Sequence, residues 1–126
     1  MKNAVISVII FFGLLIGIFF LNSSLVNLCD SIKYKTDDIE IILLNEDYET
    51  GYEKAVDLLN YLQNNDFIPS IYTNHQDFDV LRHEAARLCV YISKNDIGEA
   101  YSSLHFIKYG AQTIKHLQSV TLGNIF

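Results

Sequence analysis

The sequence predicts an all-α protein in which an N-terminal transmembrane helix continues into an up-down bundle of about four helices. Three observations predict this class. An uncharged apolar run opens the chain, apolar residues recur three and four positions apart through most of the remainder, and no segment alternates apolar and polar residues as a half-buried strand does. Short polar breaks separate the periodic segments, and short connections favour antiparallel neighbouring helices.

The uncharged run covers residues 4–21. At a rise of about 1.5 Å per residue it spans about 27 Å as a helix, close to the hydrocarbon thickness of a bilayer. A cleavable signal peptide is the alternative, but its apolar core is shorter and its cleavage site needs small residues that this segment does not offer. We therefore predict a retained anchor over residues 1–24, bound to the lipid bilayer through residues 4–21, and a helical bundle domain over residues 25–126.

Charge patterning predicts the orientation of the span and excludes one class of partner. Only Lys2 precedes the run, and a short N-terminus most easily stays cytoplasmic while an acidic domain is translocated. We expect a single-pass protein of the cell membrane with a cytoplasmic N-terminus and an extracytoplasmic C-terminal domain. The net charge of −6, from 9 basic and 15 acidic residues, argues against nucleic acid as a partner, because phosphate contacts need a basic surface.

Four helical segments follow from the apolar periodicity. The first runs to about Leu44, the second starts near Tyr48, the third starts near Asp77, and the fourth ends near Val120, before Gly123. In addition, Asp96 is placed to cap the fourth helix. The expected core positions, in chain order, are Leu25, Leu28, Ile32, Ile39 and Ile42, then Tyr52, Ala55, Leu59 and Leu62, then Phe78, Leu81, Ala85, Leu88 and Ile92, then Ile97, Ala100, Leu104, Ile107, Ala111 and Ile114.

Two glycines make a candidate packing strip inside the span. Gly13 and Gly17 lie one helical turn apart in a G-x-x-x-G pattern, which allows another transmembrane helix to approach closely. The partner would be a second copy of the chain or a multi-span membrane protein. The alternative is that these are ordinary glycines, which are common in transmembrane helices.

Two groups of side chains suggest ligand chemistry, and each has a simpler explanation. His75, Asp79 and His83 recur every four residues, but the outer pair lie about 12 Å apart on a helix, so a solvated helix start is favoured and no metal site is predicted. A polar stripe on the fourth segment could meet an anionic ligand or an acidic partner, but the solvent face of an amphipathic helix is the simpler explanation and is favoured. The residues of that stripe are His105, Lys108, Gln112 and His116.

No catalytic motif or cofactor-binding loop is present in the sequence. Serines lie outside any G-x-S-x-G pattern, and no glycine-rich phosphate loop occurs, so we predict a protein that is not an enzyme and has no cofactor. The two cysteines, Cys29 and Cys89, are expected to be free thiols, with a disulfide as the alternative.

Several short motifs, in order along the whole chain, carry a family resemblance. They are Met1-Lys2-Asn3, His75-Gln76-Asp77, Tyr91-Ile92, Asp96, Glu99-Ala100, Leu104-His105-Phe106-Ile107-Lys108 and Asn124-Ile125-Phe126. The chain resembles a domain-of-unknown-function family of small single-span proteins from Gram-positive spore-forming bacteria, although it has no tryptophan where the family usually places one, in the second helix. The resemblance implies an extracytoplasmic helical domain and no activity.

Two classes of function remain. The leading hypothesis is a membrane-tethered interaction or accessory module for another membrane or envelope protein. The alternative is an extracytoplasmic domain that senses a ligand or metal through its histidine-bearing faces.

Overall fold

A computed structural model describes residues 1–66, Pro69 and residues 75–125, without the side chains of residues 75 and 121–125. Over these residues the chain forms four helices and no strand, which confirms the predicted all-α class. The helices are α1 (Lys2–Leu44), α2 (Tyr48–Asn64), α3 (His75–Ser93) and α4 (Ile97–Ile125).

The helices pack as an up-down bundle. The main contacts join α1 to α2, α2 to α3, α3 to α4, and α4 back to α1. Each helix therefore lies beside its neighbours in the chain, as short connections require. One core runs through all four helices and includes Leu25, Leu58, Leu88 and Ile107.

Helix α1 extends far beyond the bundle. Its 43 residues make a rod of about 65 Å at the ordinary helical rise. The N-terminal part is long and apolar enough to cross a membrane, and none of its most apolar window is buried. Burial begins at Leu25, which has no exposed surface, and no break interrupts the helix between the two parts.

The turns after α1 and α3 have the same construction. Glu46 and Asn95 each adopt a left-handed backbone, with φ of 61° and 62°. In each turn the next residue, Asp47 or Asp96, donates its backbone N–H to the carbonyl five residues earlier, which is the Schellman helix ending. The same aspartates then cap α2 and α4, accepting the backbone N–H of residues 50 and 99 at 3.3 and 3.4 Å. The predicted cap at Asp96 is thus confirmed.

The predicted core of α3 is confirmed in full, and that of α4 is confirmed except for the half-buried Ile97. In α1 the predicted Ile42 is only half-buried and Leu43 takes its place. The additional buried residues on α1 are Cys29 and Thr36.

The predicted core face of α2 is partly wrong. Tyr52 is 42% exposed and Leu59 is half-buried, whereas Gly51 and Leu58 are buried beside the correctly predicted Ala55 and Leu62. The buried face of α2 is shifted by one residue from the predicted face, to Gly51 and Leu58. The reason is that α2 lies between α1 and α3 and buries side chains against both helices.

Helix α4 is longer than predicted. The expected end near Val120 is wrong, because the helix continues through Gly123 to Ile125. A glycine ends a helix where the chain must turn through a left-handed conformation, and here the chain continues straight. Helix α3 is described from His75, two residues before the predicted start near Asp77.

Candidate functional site

The seam between α1 and α4 contains half of the predicted polar stripe. The ammonium group of Lys108 lies 2.7 Å from a carboxylate oxygen of Asp37. Similarly, His105 Nε2 lies 3.8 Å from an oxygen of Glu40. Both α4 residues therefore face acidic groups on α1. The hydrogen bond from Lys108 to Asp37 raises the pKa of the lysine, since it favours the charged form.

A third pair extends the same seam. Lys115 donates a hydrogen bond to Asp30 across 2.7 Å. This lysine was not among the predicted site residues, although its spacing of seven residues from Lys108 matches the spacing of Asp30 from Asp37. We call the three pairs the charge ladder. Its pairs are Asp30–Lys115, Asp37–Lys108 and Glu40–His105.

The charge ladder uses basic groups that an anionic ligand would need. Because each of its three basic residues lies beside a carboxylate, the seam holds two helices together and presents little free positive charge. The other two residues of the predicted stripe lie outside the ladder, with Gln112 half-buried and His116 exposed.

The start of α3 is organised by an arginine. Arg82 lies 3.6 Å from Asp66 and also pairs with Asp79. His83 is exposed, and the side chain of His75 lies outside the described residues. Among the side chains that are described, no three histidine, cysteine or acidic residues are grouped as metal ligands.

A second polar network links α3 to α4. The nearly buried Ser103 donates a hydrogen bond to Glu84 at 2.8 Å. Glu84 also lies 3.4 Å from Arg87, which donates a hydrogen bond to the hydroxyl of Tyr91 at 2.8 Å. Sequence reasoning missed this network because its serine and glutamate lie on different helices, and neither belongs to a motif.

Both thiols are free and buried. Burial raises the pKa of Cys29 to about 11, and the nearby carboxylate of Asp30 adds to the increase. Burial also raises the pKa of Cys89. A thiol reacts as the thiolate, so both groups are poor nucleophiles at neutral pH.

The glycine pair in the apolar run lies on an open surface. A Cβ atom added at Gly13 or Gly17 would meet nothing within 4 Å. Two glycines of the bundle differ from these, since a Cβ at Gly110 would lie 2.5 Å from Leu81 and one at Gly51 would lie 2.7 Å from Leu43. Helices approach each other closely at Gly51 and Gly110, whereas Gly13 and Gly17 leave room for another helix to approach.

A polar groove lies where α1 leaves the apolar run. It has a volume of about 380 Å³ between α1 and the end of α2, and its lining is rich in hydroxyl and amide groups. The polar residues that line it are Ser24, Asn27, Ser31, Tyr61, Asn64 and Asn65. Among the described residues, those that line it are uncharged and offer hydrogen-bond donors and acceptors.

The described residues define a class: a helical bundle built on one end of a long apolar helix, with charged side chains joining the helices. A family model described as a domain of unknown function, DUF4363, matches residues 19–125. The chain belongs to this family, which confirms the predicted resemblance to a family of unknown function. No curated protein and no solved structure matches the chain.

Proposed function

We propose that the protein is a membrane-anchored, non-enzymatic accessory module that binds another membrane or envelope protein. The observation that carries this proposal is the continuity of α1, which runs from an exposed apolar segment into the bundle core without a break. A continuous helix holds the bundle at a defined height and orientation above the bilayer. This attachment suits a domain that binds another protein in the same membrane.

The use of charge in the bundle supports binding over chemistry. The charge ladder and the Glu84–Ser103 contact join helices to one another. The two thiols are buried and their pKa values are raised, so they are poorly suited to nucleophilic catalysis. The ligand-sensing alternative needs basic or histidine groups that are open to a ligand, and the ladder engages two of those proposed, His105 and Lys108.

The proposed orientation places the N-terminus in the cytoplasm and the bundle outside. Single introduced cysteines can test this orientation, because the two native thiols are buried and should react little with a maleimide. A membrane-impermeant maleimide should label Tyr34→Cys in intact cells, since Tyr34 is 75% exposed on the bundle half of α1. Lys2→Cys should react only after the cells are opened. The reverse pattern would invert the topology, and recovery of the protein without membranes would exclude the anchor.

The proposed contact in the membrane is the Gly13–Gly17 strip. Replacing both glycines by isoleucine would keep the span long and apolar but separate the two backbones. We expect less crosslinking, between copies or to a multi-span partner, with membrane localisation unchanged. The control is the pair Leu14→Ile and Ile18→Leu, which preserves bulk at neighbouring positions. Equal crosslinking of the glycine variant and the wild type would exclude the strip as the contact.

The ligand-sensing alternative has its own test. Calorimetry of the full chain in detergent with zinc, and separately with inorganic phosphate, measures binding directly. Heat from tight stoichiometric binding would favour sensing over the accessory module. We expect none with phosphate, because the ladder lysines already have carboxylate partners, and none with zinc, because no three histidine, cysteine or acidic side chains are grouped among those described.

A further inference from the structure

Helix α4 continues beyond the bundle core. Its last fully buried side chain among those described is Ile114, and the helix runs on to Ile125. On this extension Leu117 and Val120 are 51% and 47% exposed. The last charge-bearing side chains are Lys115 and His116, and every residue from 117 to 126 is uncharged.

The charge ladder fixes the height of this extension against α1. Asp37 lies seven residues after Asp30 on α1, and its partner Lys108 lies seven residues before Lys115 on α4. The last pair preserves the register, with a step of three residues on each helix. Helices α1 and α4 are therefore antiparallel without slippage. Continued downward, the same register brings Val120 level with Leu25 and places the end of α4 level with the end of the apolar run.

Burial along α1 supports this placement independently. Phe19 and Phe20 are 73% and 66% exposed, whereas Leu21 and Asn22 are half-buried. In addition, the side-chain oxygen of Asn22 is fully enclosed. The bundle therefore reaches down to the point where the apolar run ends, and α4 packs against α1.

We propose that the C-terminal end of α4, from Leu117 onward, lies in the lipid headgroup region as a second membrane contact. This inference rests on the proposed membrane anchoring of α1. An uncharged helix end with exposed apolar side chains is stabilised at the boundary between headgroups and acyl chains, and burial of that apolar surface drives the contact. With α1 it gives two points of contact, which restrict the tilt of the bundle relative to the bilayer.

Lipid quenching of the full chain in proteoliposomes tests the contact. A bimane fluorophore is attached to Val120→Cys, and the lipids carry a doxyl quencher near the headgroup. Phe106→Cys is the matched control, because it is also an exposed apolar position of α4 but lies about 21 Å higher along the helix. Phe19→Cys, in the span, is the positive control. We expect quenching at Val120 several-fold above that at Phe106 and comparable to that at Phe19.

The possible outcomes separate the two proposals. Quenching at Phe19 with Val120 no different from Phe106 would overturn the second contact and leave the anchor intact. Absence of quenching at all three positions would overturn the anchor itself. Equal strong quenching at Phe106 and Val120 would place the bundle flat on the bilayer, which also contradicts the proposed contact. Circular dichroism and a shared melting profile show whether each labelled protein has kept its fold.

Discussion

Helix α1 has two halves that form the same secondary structure in different surroundings. Residues 4–21 are uncharged, predominantly apolar on every side and almost entirely exposed. Residues 25–44 bury one stripe, which includes Leu25 and Ile32, and carry acidic groups such as Asp37 on another face. Both halves are regular helix, so helix formation does not distinguish them. The distribution of polar residues around the helix does, because an apolar stripe packs on a core, while a helix that is apolar all round suits lipid.

The comparison predicts that identical substitutions will have different effects in the two halves. In the bundle half, side chains are enclosed by other helices, so a change in volume alters packing. In the other half, the structure places no neighbouring helix beside residues such as Gly13. Unfolding of the bundle should therefore respond much less to substitutions in residues 4–21 than to substitutions in residues 25–44.

The largest expected difference is between Ile32→Ala and Ile9→Ala. Ile32 has no exposed surface, so its truncation should lower the free energy of unfolding by about 2–5 kcal/mol. Ile9 is 65% exposed, so Ile9→Ala should leave the free energy of unfolding of the bundle unchanged. Denaturant unfolding in detergent, followed by circular dichroism, measures both. Equal losses would show that the span and the bundle unfold as a single unit.

A smaller difference should separate Gly51→Val from Gly13→Val. A Cβ atom at position 51 would approach Leu43 to 2.7 Å, and Leu43 is buried and cannot move freely. We expect a loss of about 1–3 kcal/mol from overpacking at position 51 and none for the bundle at position 13. The same unfolding measurement applies. If Gly51→Val were neutral, the close contact of α1 with α2 would be wrong.

The thiol of Cys29 should make bundle stability depend on alkaline pH. Burial raises the pKa of Cys29 in the folded protein to about 11 from an ordinary value of 9.0. The neutral thiol's contribution to the free energy of unfolding is therefore fully present below pH 9 and is lost between pH 9 and 11. The expected loss at pH 10 is about 1 kcal/mol. Urea midpoints from pH 8 to 11, compared with Cys29→Ala, measure it, since other groups titrate equally in both proteins. Parallel pH profiles would contradict the buried thiol.

The smallest effect is expected for the charge ladder. Lys115 and Asp30 are both more than a third exposed, so Lys115→Ala should cost less than about 1 kcal/mol, and added salt should reduce the difference. Lys54→Ala, an exposed lysine on α2, is the control. The ladder therefore contributes mainly to the alignment of α1 with α4 and little to the free energy of unfolding. A loss as large as that of Ile32→Ala would contradict this division.

The sequence predicted the features that depend on local pattern. The limits of α1 and the whole core face of α3 followed from polar breaks and from apolar spacing, because a helix buries whichever stripe is apolar. The core face of α2 was only partly predicted. Tyr52 and Leu58 are both apolar enough to face a core, and the choice between them depends on where α1 and α3 lie.

The candidate site was less predictable than the fold. His105 and Lys108 were identified as polar residues on one face of α4, but their acidic partners lie on α1, more than sixty residues away in the chain. The spacing of charges within one helix carries no information about which helix will lie beside it. Lys115 was missed for the same reason.

By itself, the sequence determined the helical class, the apolar segment that can cross a membrane, the end of the first helix and the start of the second. These depend on hydrogen bonds and side-chain patterns within a few turns of one helix. Only the tertiary structure decided the rotation of α2, the close approaches at Gly51 and Gly110, the pairing in the charge ladder and the height that α4 reaches beside α1. These are properties of helix pairs, and they are set by how side chains interlock across an interface between residues far apart in the chain.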